Sequence, residues 1–507
     1  MNANRFRQIW CNQRRFLNTN KIKLAQSASQ AEADIDLLSK QDAQISQISS
    51  GITVASVENY SPITQVSVVV KAGSRYEVPQ NMGIVHLLRH CAALSTKNHS
   101  AFALTRSVEV NGAKLNCTST REHLIYNLKC SRDNIEGGLA LLADVVTNPA
   151  FKPWDVEEAS SMLPIDLALY QNKPEAVLME AIHKASFRGG LSNSLYSEHF
   201  MIGKHTSEML HDYVKNHFTA SKTAVVGLGV SHDDLEKGVG NLFHFQGGSS
   251  GSDGTSKFAP GEIRMEANLP LVYSAVVAEG AGAANVKDAL SLGVLQCILG
   301  LGNHIDMSGS NYSVLGEAAA KTTNNPFYVS GLNVNYSDTG LFGAYIVGQP
   351  QDMKTLVKAV VTQMKDASKN ITDSAIQIGK HKLKAKLLME RETADGNLNS
   401  MAQDVSLNGK IRDVKELEKA IDDLQAADIK RKFKHILTVM RLCNNESFVT
   451  NLPICIQSLE MPNLCNDNKN LHLSIPFPTV ASKVMKAKPA MASLGRLHAT
   501  PHVDELL

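Results

Sequence analysis

The feature that most constrains the fold of this chain is an order of secondary-structure signals that repeats on either side of a short polar segment. That segment, residues 247–256, reads GGSSGSDGTS and contains one Asp and otherwise only Gly, Ser and Thr. Such a composition cannot bury enough apolar surface to order itself and is typical of a linker. We therefore predict two domains, residues 45–245 and 262–507, joined by a Gly/Ser-rich linker at 246–261.

The two halves carry the same succession of signals. Each begins with runs rich in β-branched residues, continues into an apolar helical repeat, returns to strand-like alternation and then reaches a long helix. In the first half these segments are 52–57 with 63–71, then 82–95, 115–130 and 154–170; in the second they are 269–279, 285–300, 329–348 and 372–392. The pattern predicts an α+β fold of two tandem homologous domains, each a mixed or antiparallel sheet packed with helices.

One stretch of the second half has no counterpart in the first. Residues 430–480 contain no Gly and no Ala, but seven Asn, four Pro and three Cys. Structureless loops of this length are uncommon inside compact domains, so we interpret the stretch as an insertion that splits a helix after Ile429. It is either a loop particular to this lineage or intronic sequence translated into the protein.

The amino-terminal segment differs from the rest in charge. No acid precedes Glu32, while six cations alternate with apolar residues in the first 31 positions. These cations are Arg5, Arg7, Arg14, Arg15, Lys21 and Lys23. An Arg-rich, acid-poor, amphipathic segment predicts a mitochondrial transit peptide within residues 1–44, with an ordinary basic tail as the alternative. Without the six cations the formal charge changes from +2 to −4, which gives no electrostatic reason to bind nucleic acid.

The stretch GIVHLLRHCA places His86 and His90 four residues apart in an apolar helical run. Residues at this spacing share one face of a helix and can bind one metal ion. The inverted zinc-peptidase motif HxxEH uses such a pair, with the glutamate as general base. Here Arg89 stands in the position of that glutamate. Arginine has no proton-accepting capacity at any relevant pH, and its charge would repel a divalent cation at ~5 Å by about 6 kcal/mol.

A catalytic zinc ion also needs a third protein ligand. The downstream stretch ASSMLPIDLALYQNKP offers only Asp166, two residues after Pro164, which we expect to disrupt the helix. We therefore assign no catalytic, metal-ligating or cofactor-binding residue, and interpret the pair as the vestige of a zinc site. Two unrelated histidines on an apolar helix are the alternative, and residual zinc binding remains open.

The run KAGSRYEVPQNMGIVHLLRH, residues 71–90, resembles the start of the pitrilysin-type metallopeptidases. The Arg in the motif, together with SVEVNGAKLNCTSTREHLIYNLKC and the terminal TPHVDELL, is similar to the non-catalytic branch that supplies the core subunits of mitochondrial ubiquinol-cytochrome c reductase, respiratory complex III. The resemblance runs from about Ile45 to Ile429 and resumes at Ala481.

This resemblance implies a bowl-like pair of domains on the matrix side of the mitochondrial inner membrane. The implied role is assembly and stability of a dimeric respiratory-chain complex that transfers electrons from ubiquinol to cytochrome c. The implied partners are core protein 1, cytochrome b, cytochrome c1 and the iron–sulfur protein, and this chain would hold no cofactor of its own. The alternatives are the non-catalytic alpha subunit of the mitochondrial processing peptidase and a free-standing binding protein.

Overall fold

The computed structural model describes residues 42–245, 256–301, 313–441 and 489–506. The helices within these ranges are α1 (Ile84–Cys91), α2 (Ala101–Val110), α3 (Ile135–Thr147), α4 (Pro153–Gln171), α5 (Pro174–Ser186), α6 (Ser207–His217), α7 (His232–Leu242), α8 (Val286–Leu299), α9 (Val314–Ala320), α10 (Met353–Asn370), α11 (Asp373–Glu392), α12 (Ala394–Asn408), α13 (Val414–Asp422) and α14 (Ala426–Arg441). The strands are β1 (Gln44–Gln47), β2 (Thr53–Val57), β3 (Ile63–Val70), β4 (Lys114–Ser119), β5 (Leu124–Ser131), β6 (Phe187–Arg188), β7 (Thr223–Leu228), β8 (Lys257–Phe258), β9 (Glu262–Glu266), β10 (Val272–Glu279), β11 (Tyr328–Asn335), β12 (Gly340–Gly348) and β13 (Ala490–Gly495).

Apart from β1, an additional edge strand of the first sheet, the two large sheets have the same topology. The first has the strand order β1-β2-β7-β3-β5-β4, and the second, read in the same direction, has the order β9-β13-β10-β12-β11. In each sheet one pair is parallel, β2 with β7 and β9 with β13, and the other pairs are antiparallel. The predicted α+β fold with tandem homologous mixed sheets is therefore confirmed.

Each sheet is covered on one face by helices of its own half and on the other by a helix from the opposite half. The second face of the first sheet packs against the α12 residues Leu398, Met401 and Val405. The second face of the other sheet packs against Leu178 and Ile182 of α5. Burying a large aliphatic side chain contributes about 1.5–3 kcal/mol, so this exchange of helices ties the halves together by apolar packing.

A buried ion-pair network also joins the halves. The Arg75 guanidinium, 5% exposed, lies 2.6 Å from Oε1 of Glu122 and 2.6 Å from Oδ2 of Asp338 in the loop before β12. Nearby, the Tyr336 hydroxyl lies 2.7 Å from Nε2 of His183 on α5. The junction therefore has directional contacts in addition to its apolar ones.

The structure differs from two expectations at the edges of the second half. Helix α14 is not split after Ile429 but continues to Arg441, and Phe433, which lies within the predicted insertion, is fully buried against Phe342. The reason is that Phe433 follows the buried Ile429 at a helical spacing of four residues and so continues the apolar face of α14. Residues 257–258 of the predicted linker form β8 and pair with β6. The rest of the insertion from 442, residues 246–255 of the linker and residues 1–41 of the predicted transit segment lie outside the described residues.

Within the described ranges, no helix has both the length and the apolar composition that a bilayer span requires.

Candidate functional site

The helix that carries the histidine pair begins at a glycine in a left-handed conformation. Gly83 has φ +83°, and the carboxylate of Glu77 accepts hydrogen bonds from the backbone N–H groups of Gly83 and Val85, at 2.8 and 3.0 Å. These N–H groups lie where a helix has no internal acceptors, so Glu77 satisfies donors that would otherwise be unpaired. Burial raises the pKa of Glu77 to about 8, despite both hydrogen bonds.

Asp166 lies opposite this helix, on α4. The expectation that Pro164 disrupts the helix is wrong: α4 runs without a break from Pro153 to Gln171. Leu163 and Leu167 on either side are buried and hold α4 in the core, which offsets the hydrogen bond that proline removes. The expectation that no third carboxylate reaches the histidine pair is also wrong, because α4 packs against α1 and brings Asp166 to it.

Three side chains of α1 converge on one oxygen atom of Asp166. Oδ2 lies 3.0 Å from Nε2 of His86 and 3.3 Å from Nε2 of His90, and it accepts a hydrogen bond from the Arg89 guanidinium. The Arg89 and Asp166 side chains are 24% and 28% exposed. The carboxylate is thus shared between two imidazoles and a permanent cation.

The position of the proton on the neutral His86 ring follows from the hydrogen bond at Nδ1, the ring nitrogen that does not contact Asp166. The backbone N–H of Ser197 donates to Nδ1 of His86 at 3.2 Å, so Nδ1 is the acceptor and the proton of the neutral ring lies on Nε2, which donates to Asp166. Burial lowers the pKa of His86 to about 4, and the charges of Arg89 and His90 act in the same direction. The ring is therefore neutral at neutral pH.

The pKa of Asp166 moves in the direction expected of a paired carboxylate. Burial alone would raise it, but the hydrogen bond from His86 and the charge of Arg89 outweigh burial, and the pKa lies below its ordinary value. Tyr196 closes the site from the other side, with its ring 5.3 Å from that of His86 and stacked on Tyr170 at 4.1 Å. Asp166 therefore remains ionised and accepts hydrogen bonds in a partly enclosed pocket.

The three donors of a zinc site are present, but their arrangement does not fit a metal ion. One ligand atom each from His86, His90 and Asp166 lies within 4.8 Å of the others. A metal bound at Nε2 of His86 would move the ring proton to Nδ1, where ligating histidines normally donate to an acceptor. At that position the site offers the N–H of Ser197, a second donor, and Arg89 already bonds to the carboxylate oxygen. No residue between the histidines is able to act as the general base.

Sequence patterns identified part of this site. The pairing of His86 with His90 on one helical face, and Arg89 between them, are as predicted. No ligand role is predicted for Asp166, although the helical spacing of Ala159, Leu163 and Asp166 places it on the same face of α4 as two buried residues. No sequence signal pointed to Tyr196 or Ser197, which reach the site from a loop more than 100 residues away.

Two tandem α+β domains, with a histidine pair on the first α-helix after β3, are the features of a peptidase-type fold. The family model for Insulinase (Peptidase family M16) matches residues 53–199, and the model for the Peptidase M16 inactive domain matches residues 204–383.

The similarity extends to individual proteins. The chain is 38% identical to human cytochrome b-c1 complex subunit 2, mitochondrial, over 390 residues, which are 77% of this chain and 86% of the relative. It is 36% identical to the mouse protein of the same name over 79% of this chain and 88% of the relative. It is 26% identical to the probable mitochondrial-processing peptidase subunit alpha-1 of Arabidopsis thaliana, over 76% of this chain and 78% of the relative. The chain belongs to the family of cytochrome b-c1 complex subunit 2, core protein 2 of complex III.

Proposed function

We propose that this chain is a non-catalytic core subunit of mitochondrial ubiquinol-cytochrome c reductase and serves the assembly and stability of that complex. The observation that carries the proposal is the similarity to cytochrome b-c1 complex subunit 2 over 86% of that protein's length. The site geometry supports it independently, because the position of a general base holds Arg89, which is paired with Asp166.

The absence of chemistry on this chain is part of the proposal. A peptidase of this type needs a carboxylate that takes a proton from a metal-bound water. Arg89 provides no such acceptor, and the N–H of Ser197 opposes metal ligation through Nε2 of His86. In this proposal the cluster fixes α4 against α1 and has no catalytic or metal-binding role.

The location and partners follow from the same relationship. We place the chain on the matrix side of the inner membrane, imported through its basic amino-terminal segment and attached through other subunits. Its partners in this proposal are core protein 1, cytochrome b, cytochrome c1 and the iron–sulfur protein, within a dimeric complex. Haem and quinone chemistry would belong to those partners.

The alternative is an alpha-type subunit of the mitochondrial processing peptidase. The identity to the Arabidopsis alpha-1 protein is 26%, against 38% to the human complex III subunit, so this alternative has less support.

The test is affinity purification of the tagged full chain from mitochondria, followed by blue-native electrophoresis and absorption spectra of the band. We expect the chain to migrate with b- and c-type haem absorbance and with core protein 1. Migration with a processing-peptidase beta subunit and no haem would support the alternative, and migration as a free monomer or dimer would overturn both. A tag on a matrix protein of similar size that belongs to neither complex provides the matched control.

A further inference from the structure

A polar cavity lies between the two halves, away from the histidine cluster. Its volume is about 260 Å³, and its wall is formed by one face of β4 and β5 and by the first turns of α12. The polar residues that line it are Lys114, Asn116, Asn127, Lys129, Asp395 and Asn399. Cys117, on the opposite face of β4, is buried in the core of the first half, so the cavity and that core lie on different sides of the sheet.

Two lysines stand directly opposite each other at this cavity. Lys114 on β4 and Lys129 on β5 are partners in the antiparallel register. Like charges at directly opposed positions of a sheet are destabilising, so an anion between the two lysines would stabilise the arrangement. Asp395 on α12 forms an ion pair with Lys129. Lys114 makes no hydrogen bond or ion pair with any residue that the structure describes.

Amide side chains that suit oxygen atoms also line the cavity, together with Leu128 and Leu398. Asn116 and Asn127 are the next directly opposed pair on the same face, and Asn399 adds a third amide from α12. The N-terminus of α12, a helix of 15 residues, lies at the same cavity and favours negative charge. Two ammonium groups, three amides and a helix N-terminus therefore face a single carboxylate.

We propose that this cavity binds a small oxyanion, a phosphate or a small dicarboxylate, which bridges Lys114 to the amides of both halves. The volume decides the size class: pockets for cofactors and drug-sized ligands measure about 300–1,000 Å³ and are mostly apolar, whereas this one is smaller and polar. The bound anion stabilises the packing of α12 on the first sheet. This inference does not depend on the proposed role in complex III.

The experiment is calorimetric titration of the full chain with inorganic phosphate and, in a parallel arm, with malonate, both at constant ionic strength set with NaCl. Thermal unfolding is recorded under the same conditions, because a ligand that binds only the folded state raises Tm as its concentration rises. We expect saturable binding of at least one of the two anions. Phosphate alone assigns a phosphate-type ligand, malonate alone a dicarboxylate-type ligand, and both an unselective oxyanion site.

Two variants give opposite expected results. Lys114→Met removes the unpartnered cation and should weaken binding at least tenfold, whereas Asp395→Asn removes the competing carboxylate and should tighten binding several-fold. Lys237→Met, at an exposed lysine on α7, is the matched control and should bind like the wild-type chain. The proposal is overturned if neither anion binds beyond the NaCl reference, if Lys114→Met binds as tightly as the control, or if Asp395→Asn weakens binding.

Discussion

The Arg89 guanidinium donates to Oδ2 of Asp166, a residue 77 positions later in the chain. The contact joins α1, the helix that carries the histidine pair, to α4, which packs against it. A catalytic zinc ion needs three protein ligands, whereas here a cationic side chain of α1 bonds directly to the carboxylate on α4. The packing of α1 on α4 therefore includes a direct polar contact between side chains of the two helices.

The Arg89–Asp166 contact should be measurable as a coupling energy. We expect Arg89→Met to lower the free energy of unfolding by about 2 kcal/mol, because a partly buried carboxylate loses its cation. In a cycle with Asp166→Asn, the two losses should be non-additive by about 1–3 kcal/mol. Urea unfolding at pH 7.5 measures the free energy of unfolding of the wild type, the two single variants and the double variant.

The control for this cycle is Arg106→Met on α2, which replaces an exposed arginine and should change stability by less than about 0.5 kcal/mol. Additive effects of the Arg89 and Asp166 substitutions would show that the contact contributes no net energy.

Glu77 should make the stability of the protein depend on pH in a direction opposite to that of most carboxylates. Its folded pKa, about 8, lies above its ordinary value of 4.5, so the native state holds the proton more tightly than the unfolded chain. Its contribution is fully present below pH 4.5 and is lost as the pH rises to about 8. Gln has one acceptor oxygen, so Glu77→Gln loses one of the two hydrogen bonds from Gly83 and Val85 at every pH. The difference in stability between Glu77→Gln and wild type should nevertheless shift in favour of the variant by roughly 1–4 kcal/mol between pH 4.5 and pH 8.

Measurements of unfolding free energy at half-unit intervals between pH 5 and 9 test this expectation. Glu109→Gln, at an exposed glutamate on α2, serves as the control and should run parallel to the wild-type curve. A constant difference between Glu77→Gln and wild type across the series would contradict the expectation.

Most of the fold could be predicted from local patterns. Residues 285–300 carry a helical apolar repeat and form α8 (Val286–Leu299), and residues 372–392 form α11 (Asp373–Glu392). The parallel succession of elements in the two halves also indicated the duplicated sheet topology. These features are local, or repeat at a fixed order, and so leave a signal in one sequence.

The remaining features depend on which helix covers which sheet. Nothing in the composition of α12 indicates that Leu398 packs on the first sheet rather than on its own, because an apolar stripe specifies burial and not a partner. The same limit applies to Asp166. Helical spacing predicts the face of α4 on which Asp166 lies, but its contact with His86 depends on how α4 packs against α1. The error at Pro164 came from treating a local preference as decisive where tertiary packing outweighs it.

The ion pairs at the junction of the halves should differ in energy according to exposure. Arg75→Met leaves Glu122, whose side chain is 8% exposed, without its cation, and removing one partner of a buried pair costs about 3–5 kcal/mol. Asp338 is 42% exposed, so Asp338→Asn should cost about 1 kcal/mol or less. Equal losses in urea unfolding would contradict this ranking.

Gly83, the residue before helix α1, should tolerate substitution less than any other residue at the start of that helix. Its φ of +83° strains any residue with a Cβ, and a Cβ placed there would lie 2.6 Å from Cα of Ser197, closer than real contacts allow. Gly203 provides a matched control, because its φ is +78° and a Cβ there meets nothing within 4 Å. Gly203→Ala should therefore cost only the backbone strain, about 1–2 kcal/mol, whereas Gly83→Ala should cost that amount plus the displacement of the Ser197 loop, about 3–5 kcal/mol in total.

Since that loop supplies the N–H bonded to His86, Gly83→Ala should also raise the pKa of His86 as the ring gains access to water, which an NMR titration of the imidazole measures. Equal stability losses in the two variants, with the His86 titration unchanged, would mean that the Ser197 loop does not constrain the histidine cluster.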